Sequence, residues 1–267
     1  MRNIFVTLLL LPLLAIAGPH AVVYNVTNDI VMEGSLYCEE VSIASISKLM
    51  TVYTVLKAEQ DLTEKLTVTG NKVNNTKLSK GMILTRQELI DMALISSDNL
   101  AAITLAQNYL GGPTQFIRDM NQHSKNLNMN NTGFVEPTGL SPMNHSTLVD
   151  IIQLTKAVGE FTIVQSAAKT QKYISYPESG YKGKSKKKSK KEPVKKPNKI
   201  VNNPTSRYFG HEGIIAIKTG FTNAAGFCIT ILLKANDQLY NITILGARSK
   251  QEREKIIKQS LAKIYNT

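Results

Sequence analysis

Three β-branched runs follow one another towards the end of the chain: GIIAIKTGF (Gly213–Phe221), GFCITILLKA (Gly226–Ala235) and QLYNITILGAR (Gln238–Arg248). Turn residues separate them, so they read as neighbouring strands with tight connections. A second strand-like stretch, AVVYNVTNDIVMEG (Ala21–Gly34), lies near the other end and folds back around Asn28-Asp29. Between the two the periodicity is helical. Strands at both ends of a helical middle are satisfied together by one antiparallel sheet flanked by helices. The expected class is therefore α/β of the α+β kind, with an all-helical subdomain of about 62–160 inserted into the sheet layer. The cleft between two such lobes is a common place for an active site.

The helical middle carries its own punctuation. Ser45 to about Glu59 reads as one helix. Thr85 and Glu88 form a capping box before LIDMALI. The apolar pattern breaks at Ser96 to Asn99 and resumes through Leu110. Pro113 opens a further amphipathic helix, and Ser146 or Thr147 caps another. The chain closes on a helix with Ile256, Ile257, Leu261 and Ile264 on one side.

Composition matters at three points. First, the net charge of +12 is not spread over the fold: Lys182 to Lys199 alone holds ten lysines and one glutamate. That segment has almost nothing apolar and reads as a solvated, disordered insert. A functional reading is an electrostatic tether to an anionic polymer or to acidic lipid headgroups. Such a run would bind nucleic acid in vitro as well, so no specific nucleic-acid partner is inferred. Second, MRNIFVTLLLLPLLAIAG has a basic start at Arg2, a short apolar run from Ile4 to Leu14, and small residues at Ala15 and Ala17. It reads as a signal peptide, 1–17, removed on export and leaving 18–267 as a single domain outside the cytoplasmic membrane. Third, two cysteines and four scattered histidines offer no metal-ligand spacing. No metal or cofactor is expected. Cys38 and Cys228 could pair in an oxidising compartment or stay as free thiols.

Three short motifs carry the chemistry. Ser45-Ile46-Ser47-Lys48 places a hydroxyl and an amine three residues apart, on one face of a helix. A lysine deprotonates a serine only when it is itself neutral, which burial or a nearby cation can bring about. The bland reading is a Ser cap with a snorkelling lysine. Ser97-Asp98-Asn99 breaks an apolar helical pattern, where a serine could pass a proton and an asparagine amide could grip a carbonyl; the bland reading is a turn between helices. Lys218-Thr219-Gly220 sits on a strand that could pair with an extended peptide, and it brings a second cation; the bland reading is a lysine guarding a sheet edge. In this order, S-x-x-K, S-D-N and K-T-G form the set shared by penicillin-binding proteins and class A β-lactamases.

The longer strings SIASISKLMT, LISSDNLAAITLAQNYLGG, MNQHSKNLNMNNTGFVEPTGLSPMNHST and IKTGFTNAAGFCITI resemble the low-molecular-mass penicillin-binding proteins. They are most similar to the D-alanyl-D-alanine endopeptidase branch of the D-Ala-D-Ala carboxypeptidase family, over about residues 21–265 and weakly over 165–210. The resemblance implies a β-lactamase/transpeptidase-like fold and a periplasmic serine peptidase. It also implies cleavage of D-alanyl cross-links between peptidoglycan stem peptides through an acyl-enzyme, with β-lactams as covalent inhibitors. By motif match, Ser45 is the nucleophile, Lys48 the general base and Ser97 a proton relay. Asn99 orients the substrate amide, Lys218 and Thr219 hold charge and terminal groups, and Gly220 completes their motif. The backbone N–H groups of Ser45 and Phe221 would form the oxyanion hole. The lysine-rich insert departs from the pattern, standing where related proteins have a compact hairpin. The sequence as read closes on its last helix, without the extra β domain and amphipathic anchor of the membrane-bound carboxypeptidases, so the endopeptidase type is the expectation and carboxypeptidase activity stays open.

Two rivals remain. A class A-like β-lactamase needs a deacylating base, and Glu136 in FVEPTGLS is the carboxylate to consider; the asparagine expected after it is replaced by Thr138-Gly139-Leu140. A non-catalytic wall-binding or sensor module would keep the cleft, although here all three motifs are intact. A G-x-S-x-G hydrolase is excluded because the string is absent, and ESGYKGKS lacks the first glycine of a P-loop.

Overall fold

The computed structural model describes residues 18–34, 38–179 and 199–266. The expected signal peptide, and residues 182–198 of the lysine-rich insert, lie outside the described residues. In chain order the elements are β1 (His20–Asn25), β2 (Ile30–Gly34), β3 (Val41–Ser42), a 3-10 turn (Ala44–Ile46), α1 (Ser47–Lys57), β4 (Lys65–Thr67) and β5 (Met82–Thr85). Then come α2 (Arg86–Ile95), α3 (Asn99–Gln107), α4 (Gly112–Asn126), β6 (His145–Ser146), α5 (Leu148–Val158) and α6 (Thr162–Ala168). The remainder is β7 (Tyr173–Ser175), β8 (Glu178–Ser179), β9 (Ile200–Asn202), β10 (Ile214–Thr222), β11 (Gly226–Ala235), β12 (Gln238–Ala247) and α7 (Lys250–Tyr265).

The main sheet is antiparallel, in the order β10-β11-β12-β1-β2, so both chain ends build it as the strand runs require. The β11–β12 hairpin turns through Asn236 and Asp237, both with positive φ. Such a two-residue turn matches the twist of the strands it joins, and Asn and Asp tolerate it. β11 and β12 are buried at consecutive positions rather than alternate ones. A strand buried that way has both faces covered. Here α5 and α7 both pack against β11 and β12. On the outer helix, Ile257 and Ile264 make the buried stripe, while Ile256 and Leu261 are only partly covered.

α1 is the hub between the lobes, packed against α2, α3, α4 and α5. Its length from Ser47 to Val55 is almost entirely buried, Lys48 included. The Thr85 capping box is formed, with reciprocal bonds between Thr85 and Glu88. The insertion is not wholly helical, however. β4 and β5 pair within it and are extended by β8, giving a three-stranded sheet. These segments are too short and too polar to show a period of two in the sequence. α5, inside the expected 62–160 range, packs on the main sheet. The helix read from Ser45 also begins later: Ser45 lies in the 3-10 turn, and α1 proper starts at Ser47.

Two consequences bear on the site. β10, the strand of the K-T-G motif, is the last in the sheet, and among the described residues no strand pairs with its outer edge. β8 and β9 flank the lysine-rich insert, β8 pairing with β5 and β9 with β7. Cys38 is exposed and Cys228 buried, and both are free thiols. Among the described residues no helix is long and apolar enough to cross a membrane.

Candidate active site

Ser45, Lys48, Ser97, Asn99, Lys218, Thr219, Gly220 and Phe221 all converge on one cleft between the sheet edge and the helices. The cleft has a volume of about 550 Å³ and is lined by Ser45, Ser97, Asn99, Thr219, Gly220 and Phe221 among others. Lys48 and Lys218 lie behind that lining, fully buried.

The geometry is tightest around Lys48. Its Nζ lies 2.9 Å from Ser45 Oγ, 2.6 Å from Asn99 Oδ1 and 2.7 Å from the Thr138 carbonyl. All three partners are neutral acceptors. Burial pushes the Lys48 ammonium down to about 7, with Glu136 and Asp98 pulling it back up by charge. When Lys48 loses one proton, the two carbonyl acceptors take the remaining two hydrogens. The lone pair is then aimed at Ser45 Oγ. A buried amine and a hydroxyl thus lie within hydrogen-bond distance, which a cap with a surface lysine would not give.

Ser97 sits at the start of the second wall with φ +57, an uncommon conformation for a residue with a side chain. Lys218 Nζ donates to Ser97 Oγ at 2.9 Å and to the Thr219 carbonyl at 2.8 Å. The Ser97 hydroxyl hydrogen is therefore left for another acceptor in the cleft. Burial, and next the charge on Lys48, push Lys218 well below the ordinary lysine range. Asp98, the middle residue of the motif, has a structural part. It caps α3 through the Ala101 N–H (3.0 Å) and accepts from Thr76 Oγ1 (2.7 Å) and the Lys77 N–H (2.8 Å). Asn99 donates to the Asn74 carbonyl at 2.6 Å, which fixes the orientation of its amide.

Two glycines allow the elements to meet. A Cβ on Gly220 would stand 2.9 Å from the Ile43 carbonyl oxygen and 3.0 Å from Ser45 N. The bare backbone at this point lets β10 lie against the Ala44–Ile46 turn that carries Ser45. Gly139 has φ +79, and a Cβ there would lie 1.8 Å from the Ala44 carbonyl oxygen. The Phe221 side chain turns out to the rim, 53% exposed, and stacks on Phe227 with ring centroids 4.2 Å apart.

Sequence reasoning missed several residues of the cleft. Arg253, on α7, is 4% exposed and lines it. Its Nη1 reaches the Cys228 carbonyl at 3.4 Å, while its Nε is buried without a hydrogen-bond partner. The only signal was one more basic residue in a charged helix. Thr205 also lines the cleft and accepts the Thr219 hydroxyl at 2.7 Å. Glu136, considered as a deacylating base, is otherwise employed. Its Oε2 accepts from Thr138 N and Oγ1, and its Oε1 from Gly139 N, so both oxygens face their own loop.

Residues 12–249 match the model of the peptidase S11 family, described as D-alanyl-D-alanine carboxypeptidase. The chain belongs to this family. It is 35% identical over 217 residues to a D-alanyl-D-alanine endopeptidase of Escherichia coli, covering 78% of this chain and 64% of that protein. It is 33% identical over 216 residues to a D-alanyl-D-alanine endopeptidase of Pseudomonas aeruginosa, covering 79% of this chain and 65% of that protein. The chain thus spans a little under two thirds of the length of these relatives. Its fold is similar to that of a Streptomyces DD-transpeptidase, with a TM-score of 0.79 at 20% identity, covering 91% of this chain and 95% of that one.

Gly139→Ala should lower stability by more than about 1 kcal/mol, because the added methyl meets backbone and the φ is unfavourable. Chemical denaturation measures the loss. A midpoint equal to that of the unsubstituted protein would contradict the close contact between residues 139 and 44.

Proposed function

We propose that this chain is a serine D,D-peptidase that acts on peptidoglycan and cleaves D-alanyl cross-links through an acyl-enzyme. The observation that carries the reading is Lys48: a fully buried lysine with only neutral acceptors, one of them Ser45 Oγ. The relatives named endopeptidases support the cross-link as substrate.

The steps follow from the geometry. Ser45 Oγ attacks the D-alanyl carbonyl carbon as its proton passes to Lys48 Nζ. The oxyanion takes hydrogen bonds from the backbone N–H groups of Ser45 and Phe221. Asn99 offers its amide to the substrate backbone, and the free edge of β10 receives that backbone as an added strand. The intermediate collapses with cleavage of the C–N bond. Ser97, whose oxygen is held by Lys218, passes a proton to the departing amine and takes back the one Lys48 accepted from Ser45, so Lys48 is neutral again. Water then attacks the ester and gives its proton to Lys48, which returns it to Ser45 Oγ as the ester C–O bond breaks. A β-lactam amide is attacked in the same way and leaves a covalent adduct on Ser45. On the leaving-group side, Arg253 pairs through Nη2 with Glu254 and keeps further guanidinium N–H groups suited to a carboxylate, while Thr219, whose hydroxyl donates to Thr205 Oγ1, lines the same cleft.

The location that fits this substrate is the periplasm. The lysine-rich insert is proposed as a tether to an anionic polymer of the wall or to acidic lipid headgroups. Each lysine near such a surface contributes on the order of 1 kcal/mol.

Digestion of purified sacculi, with products read by mass, tests the reading: cross-linked dimers should become monomers. Release of free D-alanine with dimers untouched would show a carboxypeptidase, and no change in either would contradict the D,D-peptidase assignment.

Ser45→Ala should abolish labelling by a fluorescent penicillin. Lys48→Arg should be nearly inactive, since a guanidinium keeps its proton near neutral pH. Labelling of Ser45→Ala at the original rate would remove Ser45 as nucleophile.

The acylation rate should depend on pH through Lys48. Below a pH of about 7 the amine is protonated and cannot accept the serine proton, so the rate rises with pH through that value and then levels. A pH-independent rate between 5 and 9 would argue against Lys48 as base.

Deleting 182–199 should leave turnover of a small soluble D,D-peptide unchanged. It should weaken binding to sacculi or anionic vesicles at low salt, where surface charge is least screened. Equal binding with and without the insert would refute the tether.

A further inference from the structure

The steps above leave Glu136 without a role, although its carboxylate is one of the most heavily bonded groups in the protein. Oε2 accepts from Thr138 N at 2.7 Å and Thr138 Oγ1 at 2.6 Å. Oε1 accepts from Gly139 N at 2.6 Å, Asn144 Nδ2 at 3.2 Å and Ser141 N at 3.3 Å. Five donors from four residues therefore fold 136–144 around one charge. A carboxylate so surrounded has little left to offer a water.

The loop it organises is fastened to α1 at two successive carbonyls. Thr51 Oγ1 donates to the Pro137 carbonyl at 2.6 Å, and Lys48 Nζ to the Thr138 carbonyl at 2.7 Å. Lys48 and Thr51 are three apart on the helix, so the loop runs along one face of it. The nucleophile turn is tied to the same loop. Asn144 Nδ2 donates to Ser47 Oγ at 3.1 Å, and Ser47 Oγ donates to the Ala44 carbonyl at 2.9 Å. Gly139 abuts that same Ala44 carbonyl. Ala44 itself has φ +47, a conformation costly for a residue with a Cβ, and it persists only where neighbours hold it.

On the D,D-peptidase reading above, we propose that Glu136 is a positioning residue: it shapes the 136–144 loop so that the Thr138 carbonyl orients the Lys48 amine and the loop holds the Ala44–Ser45 turn in place. It acts through Lys48 and Ser45 and touches no substrate. The Thr138 carbonyl takes one of the two hydrogens that remain on neutral Lys48. Moving it frees the amine to rotate, and the lone pair no longer faces Ser45 Oγ. A displacement of about 1 Å at such a point can cost about a hundredfold in rate.

The role predicts a signature in pH as well as in rate. The titratable groups facing Lys48 are Glu136 from the loop, Asp98 from the start of α3 and Lys218 from β10. Glu136 and Asp98 favour the Lys48 ammonium, and the charge on Lys48 in turn pushes Lys218 down. Removing the Glu136 charge takes away a favourable partner of the ammonium, so Lys48 loses its proton more readily. The acid limb of the rate profile then moves to lower pH while the plateau falls. Lost stability alone would not produce those two changes together.

The experiment is rapid-mixing acylation by a fluorescent penicillin across pH, followed by the lifetime of the adduct. It compares the unsubstituted protein with Glu136→Gln and with Thr138→Val. Glutamine keeps one acceptor oxygen but turns an amide towards backbone donors and carries no charge. We expect its acylation plateau to fall about ten- to a hundredfold, with the acid limb shifted to lower pH. Thr138→Val removes one of the five donors and keeps the carbonyl. It should give a smaller loss with the limb in place, and it remains readable if the glutamine variant folds poorly. Unchanged acylation and an unchanged limb in both variants would overturn the proposal. So would normal acylation by Glu136→Gln with a greatly prolonged adduct, which would make Glu136 a deacylating base. Failure of the unsubstituted protein to acquire label at Ser45 would instead overturn the underlying D,D-peptidase reading, and the positioning role with it.

Discussion

The structure depends on a lysine that is buried without a counter-ion. Lys48 is fully enclosed at the junction of both lobes, and its amine meets a hydroxyl and two carbonyl oxygens. An isolated charge in such a place is costly, and the ordinary release is a lowered pKa. Everything around the amine serves that condition. α1 carries it into the contact between the helical layer and the sheet. The S-D-N corner supplies Asn99 Oδ1, the 136–144 loop supplies the Thr138 carbonyl, and the K-T-G strand closes the remaining side with a second buried lysine. An amine made ready to lose its proton beside a hydroxyl is the physical content of the proposed catalytic role.

The walls are coupled through backbone as much as through side chains. The Asn99 amide is set by the Asn74 carbonyl, Lys48 by the Thr138 carbonyl, and the Ala44–Ser45 turn by the bare backbones of Gly139 and Gly220. Backbone acceptors carry no charge, so they orient the amine without restoring the ammonium. Asp98 and Glu136 do bear charge, yet each is saturated by donors from its own surroundings. Both pull the Lys48 pKa upward, and burial outweighs them.

This division also decides what could be read from the sequence. The meeting of Ser45, Lys48, Ser97, Asn99 and Lys218 in one place was legible because their three short motifs restrict residue type and spacing. The antiparallel sheet was legible because its strands are β-branched and its turns are marked, as at Asn236-Asp237. The Thr138 carbonyl was not, since any residue has one, and the contact joins positions 90 residues apart. Glu136 drew notice as a carboxylate in a candidate deacylating position, and the five donors around it join loop backbone and side chains that no short motif marks. Arg253 was hidden in a helix already rich in lysine and glutamate. The start of α1 was misplaced by two residues because a 3-10 turn and an α-helix share the same apolar spacing at their junction.

The central claim concerns one proton. Lysine side chains can be followed by NMR through pH after isotopic labelling at the ε position, with Lys48 assigned by its disappearance in Lys48→Arg. The account predicts that the Lys48 signal titrates at about 7. A midpoint near the ordinary lysine value of about 10.4 would contradict it, because the amine would then be charged at every pH where the serine has to be activated.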